Sequence, residues 1–205
     1  MRSGFTLIEV VVTLVIIGIL AAILTPMVNK YIDESRVTRA SQEAQSIGDA
    51  ILNFNKNTGK WPIFTSGVNP TPTTPIYQVL AGPGTTPTCD SVATTCTTAT
   101  WSALGSSSET ISNQLEFNKP GGTANAYTTV GKFAWRGSYA TNIGSDPWGF
   151  AYVVNSGALA FGLNQAAFVL SAGPNNKIET AFTQNIGSGS AAVTTGGDDI
   201  VARIR

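Results

Sequence analysis

The chain has 205 residues, with 12 basic and 12 acidic side chains, a formal net charge of zero and only 12% charged residues. That balance offers no basic face for nucleic acid, and the length suits one stalk plus one globular domain better than two separate cores. Histidine is absent, which removes His-based general acid–base chemistry, Ser-His and Cys-His dyads and His metal ligands and leaves carboxylate-only catalysis open; the expectation is still a chain that is not an enzyme.

From Phe5 to Met27 run 23 residues whose only formal charge is Glu9. At ~1.5 Å per residue they make a helix of roughly 35 Å, enough to cross a bilayer's hydrocarbon. A carboxylate inside such a segment costs on the order of 3 kcal/mol on insertion scales and marks a function or a partner. Gly18 and Pro26 weaken this half, because glycine is a poor helix former and Pro26 has no N–H for the carbonyl of Ala22. Further on, Val37, Ala40, Ala44, Ile47, Ile51 and Phe54 recur at alternating spacings of three and four with polar residues between them. This is one apolar helical stripe, expected to pack against the chain's own later strands. Asn57-Thr58-Gly59-Lys60-Trp61-Pro62 is a stop signal that places the helix end near Lys56, with Gly59 as a left-handed cap.

Thr65 to about Asn125 is rich in Thr, Pro, Gly and Ser, with short candidate elements only at 76–80 and 111–117. Cys89 and Cys96 lie in this region and are the only cysteines. An even pair in a loop beyond a membrane anchor suggests a disulfide in an oxidising compartment; the alternative is two reduced surface thiols or a poor metal pair, which would need two further ligands that this neighbourhood does not offer. Trp101 reads as a small-core anchor or an exposed contact. Gly131-Lys132 is followed by Phe133 rather than by a hydroxyl residue, so it is no phosphate loop. Strand signals then follow at 132–135, 151–154, 158–161 and 167–170, punctuated by Asn155-Ser156-Gly157 and Gly162-Leu163-Asn164-Gln165. They predict an antiparallel meander whose inner face receives the helical stripe. Asp146 can cap its own turn, Pro147 fixes a turn position and Gly149 permits a positive φ.

Met1-Arg2-Ser3-Gly4 followed by Phe5-Thr6-Leu7-Ile8-Glu9 closely resembles the start of type IV prepilins, a family that includes pilins and the pseudopilins of type II secretion. Asp146-Pro147-Trp148-Gly149 with Tyr152, and Ser171-Ala172-Gly173-Pro174, are similar to elements of the major pseudopilin. The resemblance implies an α+β chain with the type IV pilin fold, a long N-terminal helix packed on an antiparallel sheet. The boundaries are a leader at 1–4, a transmembrane and filament-core half at 5–28, an amphipathic half at 29–56, a variable loop region at 57–125, and the sheet with its C-terminal loop at 126–205. A prepilin peptidase is implied to cut between Gly4 and Phe5 and to methylate the new amino terminus. Glu9 is implied to pair with Phe5 of the adjacent subunit, and the stretch from Gly18 to Pro26 to extend on assembly.

The implied partners are other copies of the chain in a homopolymeric filament, minor pilins or pseudopilins, and an assembly platform in the bacterial inner membrane. The subunit would wait there, its C-terminal domain outside the cytoplasm, before entering a periplasmic or extracellular filament. A pseudopilus of type II secretion is favoured over a pilus with adhesive, motility or DNA-uptake roles. A monomeric, membrane-anchored exported binding domain is the rival of another class. In the major pseudopilins a C-terminal loop binds calcium. Here the matching oxygens are those of Asn175, Asp198 and Asp199, in a stretch that departs from the family pattern and reads equally as a solvated loop.

Overall fold

The computed structural model describes residues 4, 6–68, 71, 76–89, 101, 104, 108–122, 125–160, 163–184 and 193–205. Phe5 and Cys96 lie outside the described residues. By its contacts the chain divides into two units, Met1–Thr38 and Arg39–Arg205.

Helix α1 spans Leu7–Thr58 without interruption, through Gly18 and Pro26. It runs two residues past the end expected from the sequence, and Gly59 then closes it at φ 68°, donating its N–H to the carbonyl of Asn55 at 2.8 Å. This is the left-handed cap that only a residue without Cβ adopts cheaply. In the first unit every described side chain is exposed, and Leu7, Leu14, Ile17 and Ile23 are among the largest apolar groups on the surface.

In the second unit α1 buries Ala40, Ala44, Ile47, Gly48, Ala50, Ile51 and Phe54, the expected stripe except that Val37 is exposed. Small residues at 40, 44 and 48 let the helix approach closely: a Cβ placed on Gly48 would already stand 3.6 Å from Ile204. Seven strands follow: β1 (Val79–Ala81), β2 (Thr88–Cys89), β3 (Ser108–Thr110), β4 (Val153–Val154), β5 (Phe168–Ser171), β6 (Lys177–Ile178) and β7 (Ile200–Arg203), with a short helix α2 at Ile111–Leu115. Five of them form one sheet in the order β3-β1-β4-β5-β7. Its pairs are antiparallel except β1–β3, which is parallel, so the sheet is mixed rather than purely antiparallel.

The expected strands at 132–135 and 158–161 are not strands in the described residues. The first lies in a loop closed by Trp135 N–H to Thr128 carbonyl at 2.7 Å, and Ser156–Leu159 is a single 3-10 turn. Their places are taken by β1, β3 and β7, two of which come from the region assigned to loop.

The sheet is buried on both faces. Leu80, Val154, Val169 and Ala202 face the α1 stripe, while Val79, Val153, Phe168 and Leu170 face Trp101, Ile178 and Phe182. Strand β5 is therefore buried at every position, as strands with two covered faces are. Trp101 anchors the second layer. Its indole N–H donates to the Thr180 carbonyl at 3.0 Å and its ring meets that of Phe182 edge-on at 4.9 Å.

The segment before β4 is held by one buried carboxylate. Asp146 Oδ1 accepts the N–H groups of Trp148 at 3.0 Å and Phe150 at 2.8 Å, and Oδ2 accepts the hydroxyl of Ser171 at 2.7 Å. Gly149 supplies φ 90° for the turn. The two C-terminal motifs read separately from the sequence thus form one hydrogen-bonded unit. Replacing Asp146 by Ala leaves these donors without an acceptor, and a loss of about 3 kcal/mol is expected, read from denaturant unfolding of the detergent-solubilised chain. An unchanged midpoint would remove Asp146 from that role.

Candidate functional site

The N-terminal site is built by the first turn of α1. Leu7 opens the helix, Thr6 stands at its cap and Glu9 is the third helical residue. Glu9 Oε2 accepts the backbone N–H of Thr6 at 3.4 Å and its hydroxyl at 3.2 Å. A carboxylate reaching back from the third position to the cap residue is half of a capping box, and negative charge there also meets the positive end of the helix dipole. Thr6-x-x-Glu9 is the sequence signal for this bond, one that the anomaly of a charge in an apolar run does not itself reveal. Helix geometry thus aims the carboxylate back toward Thr6, at the start of α1. Deeper in the helix, Thr25 returns its hydroxyl to the carbonyl of Ala21 at 2.7 Å, one residue before Pro26. Nothing lies within 4 Å of a Cβ placed on Gly18.

The second candidate site joins the turn after β5 to the loop before β7. Asn175 and Asp198 meet through the Asn175 N–H and Asp198 Oδ2 at 3.3 Å. Asp199 Oδ2 accepts the N–H groups of Glu179 at 2.9 Å and Thr180 at 2.6 Å, while Glu179 Oε2 accepts the Asp198 N–H at 3.3 Å. Gly173, at φ 62°, lets the loop in: a Cβ there would stand 2.6 Å from the Asp198 carbonyl oxygen.

Among the described residues no three carboxylate or thiol side chains converge as a ready metal cage. Yet Asp198 Oδ1, Asp199 Oδ1 and Asn176 Oδ1 are buried with no hydrogen-bond partner. All three are acceptor atoms, so what they lack is a hydrogen-bond donor or a cation. The amide with the unpartnered oxygen is Asn176, whereas Asn175 Oδ1 is used locally by the Lys177 N–H at 2.7 Å.

Burial pushes the Asp199 carboxyl up to about 6, with the hydrogen bonds from Thr180 and Glu179 pulling the other way. An unfolded aspartate titrates near about 3.9. The fold therefore favours the protonated form, and this contribution to stability is complete below the unfolded value and lost as pH rises through about 6. In chelator-containing buffer the melting temperature should accordingly carry a component that falls between pH ~4 and ~6, and Asp199→Asn should abolish that component. The same slope in wild type and variant would assign it elsewhere.

The prokaryotic N-terminal methylation motif matches residues 1–25. A type IV major pilin protein of Neisseria gonorrhoeae is 37% identical over 62 residues, 30% of this chain and 38% of that protein. The type II secretion system core protein G of Pseudomonas aeruginosa is 37% identical over 67 residues, 33% of this chain and 47% of that protein. A fimbrial protein of Eikenella corrodens is 38% identical over 61 residues, 30% of this chain and 40% of its own length. The matched stretch spans less than half of each of these relatives. No solved structure matches the chain at a significant level. The methylation motif of prepilins therefore stands at the start of α1, and over about a third of its length the chain is similar both to type IV pilins and to core protein G of type II secretion.

Proposed function

We propose that this chain is a structural subunit of a type IV pilus-like filament, held in the membrane by residues 5–28 until it is assembled. The observation that carries this reading is an exposed apolar helix half that begins with a prepilin motif and has Glu9 as its one acid before Asp33. Such a surface needs a cover, and lipid followed by other copies of the same helix supplies one in both states. A prepilin peptidase cutting between Gly4 and Phe5 turns Phe5 into an amino terminus. The Phe5 ammonium and the carboxylate of Glu9 on an adjacent copy then make the pair that fixes axial register, since a misplaced copy leaves an ion unpaired in apolar surroundings at a cost of several kcal/mol.

In this reading an inner-membrane assembly platform and minor subunits complete the machine. Gly18 to Pro26 is the part of α1 that extends during assembly. The domain lies outside the cytoplasm with Cys89 and Cys96 bridged, a pairing that peptide mapping without reductant reads directly. The pseudopilus of type II secretion is favoured by the Asp146-Pro147-Trp148-Gly149 and Ser171-Ala172-Gly173 elements and their mutual hydrogen bond. A pilus subunit is the second reading, supported by the comparable identity to a major pilin.

Mass spectrometry of the membrane-extracted chain should find a methylated Phe5 as its first residue, and Glu9→Ala should insert normally yet give at least about tenfold less filament by electron microscopy. An unprocessed amino end would sink the filament reading, while normal filament yield from Glu9→Ala would sink the register role alone. A filament map with unbroken helix from 18 to 26 would refute the extension.

We further propose that Asp198, Asp199 and Asn176 hold calcium, supported by their unpartnered buried oxygens. Bound there, a hard divalent cation would tie the loop before β7 to the turn after β5. Millimolar calcium should raise the melting temperature of the wild type and leave Asp198→Ala unmoved; equal shifts in both would show that the loop is only a solvated surface.

A further inference from the structure

The domain carries an exposed aromatic knob and, elsewhere on its surface, a cavity of matching size. Phe133 stands at the turn of the 128–137 loop and is 58% exposed, flanked by Val130 at 77%. It backs onto Gly59, where a Cβ would stand 3.3 Å from the ring, so the knob is seated on the end of α1 rather than loose. The Lys132 ammonium lies 5.4 Å from the ring centroid.

The cavity, about 200 Å³, opens between α1 and the 140–144 loop. Ile47, Ala140 and Ile143 give it an apolar lining, and Glu43 and Tyr152 stand at its polar side. The Tyr152 hydroxyl donates to Glu43 Oε2 at 2.7 Å, and Arg39 Nε donates to Glu43 Oε1 at 2.7 Å, so the polar wall is held in one arrangement. An apolar cavity of about 150 Å³ is enough to take up benzene. Glu43, already paired with Arg39, is also the one acidic side chain in the lining, a carboxylate that the lysine beside the phenyl ring can share.

We propose that Phe133 of one copy inserts into the Glu43–Ile47–Ala140–Ile143–Tyr152 cavity of the next, with Lys132 drawn to Glu43 at the rim. In this contact each copy gives its knob to one neighbour and its cavity to another, so it is heterologous and, where the rotation between copies closes no ring, repeats without end. It is the type of contact that a surface apolar group and a distant complementary pocket produce. Gly59 under the knob and Ser46 at the cavity are 13 residues apart along α1, which at 1.5 Å per residue sets an axial offset of roughly 20 Å between the two copies. The inference rests on the filament reading and adds to it a contact between globular domains, separate from the Phe5–Glu9 pair.

The test places a photo-crosslinking phenylalanine analogue at position 133 of the full chain, both in filaments and in concentrated detergent solution. The expected product is a dimer whose crosslinked peptide contains residues 43–47 or 140–143 of the other copy. Crosslinks confined to other segments, or no dimer in either preparation, overturn the proposal. In parallel, Phe133→Ala empties the knob and Thr141→Trp fills the cavity from an exposed rim position. Each should lower filament yield about tenfold, and the double variant should be no worse than either single one, as expected for two ends of one contact. Independent, multiplying losses, or wild-type yield from folded single variants, also overturn it. If the wild type forms no filament, the filament reading fails, and the crosslink in solution still decides whether this contact exists.

Discussion

Between Leu7 and Val37 the backbone of α1, interrupted only where Pro26 has no N–H for Ala22, is satisfied by its own helical ladder while its side chains, largely leucine, isoleucine and valine, stand exposed. Each large apolar side chain left in water forgoes about 1.5–3 kcal/mol, so a run of this length represents tens of kcal/mol of uncovered surface. No rearrangement of a 52-residue helix can hide its own circumference. The rest of the molecule is arranged around that constraint. A helix is the backbone form that can stay in hydrocarbon without unsatisfied amides, and the same cylinder, stripped of lipid, can pack against identical neighbours. After Val37 the surroundings change, and Ala40, Ala44 and Gly48 replace bulky residues so that the helix lies close against β5 and the final residues of the chain.

The layout of the second unit follows from how little regular sheet it contains. Strands of two to four residues make few ladder bonds, so buried polar side chains take over part of the work of fixing the chain. Glu109 accepts N–H groups from Asn113 Nδ2 and Gly121, each at 2.7 Å. Gln114 bridges the Phe64 carbonyl and the Tyr127 hydroxyl, and Asn118 pairs with both backbone groups of Tyr127. In a low-dielectric interior such bonds are effective only when every member is satisfied, and this set ties the 108–127 segment to the helix exit at Phe64.

That division explains what could be read from residues alone. The helix, its cap at Gly59, its apolar stripe and the Asp146 turn were legible because each is local and carries a periodicity or a turn rule. Strands β3 and β7 were not, since three or four residues hold too few alternations to show a period, and although the run at 76–80 marked the place of β1, its parallel pairing with β3 depends on contacts across nearly thirty residues. Runs at 132–135 and 158–161 carried aromatic and apolar residues that suit strands, yet tertiary packing used them in a loop and a 3-10 turn. The second covered face of the sheet was equally hidden, because Trp101 and Phe182 come to it from distant, irregular segments. At the candidate sites, Glu9 was visible as an anomaly of charge, while its bond to Thr6 required attention to a three-residue spacing.

Two buried carboxylates in this unit show how the same chemistry serves different ends. Asp146 spends both oxygens on protein donors, and its turn is complete without further ligands. Asp199 gives Oδ2 to two backbone amides but leaves Oδ1 with none, beside an equally unpartnered Asp198 Oδ1. A buried acceptor without a donor costs about 1–3 kcal/mol, more when charged. The first arrangement is closed and acts as a structural pin. The second is open by two carboxylate oxygens and the Asn176 amide oxygen, the oxygen-only set on which the proposed cation site rests.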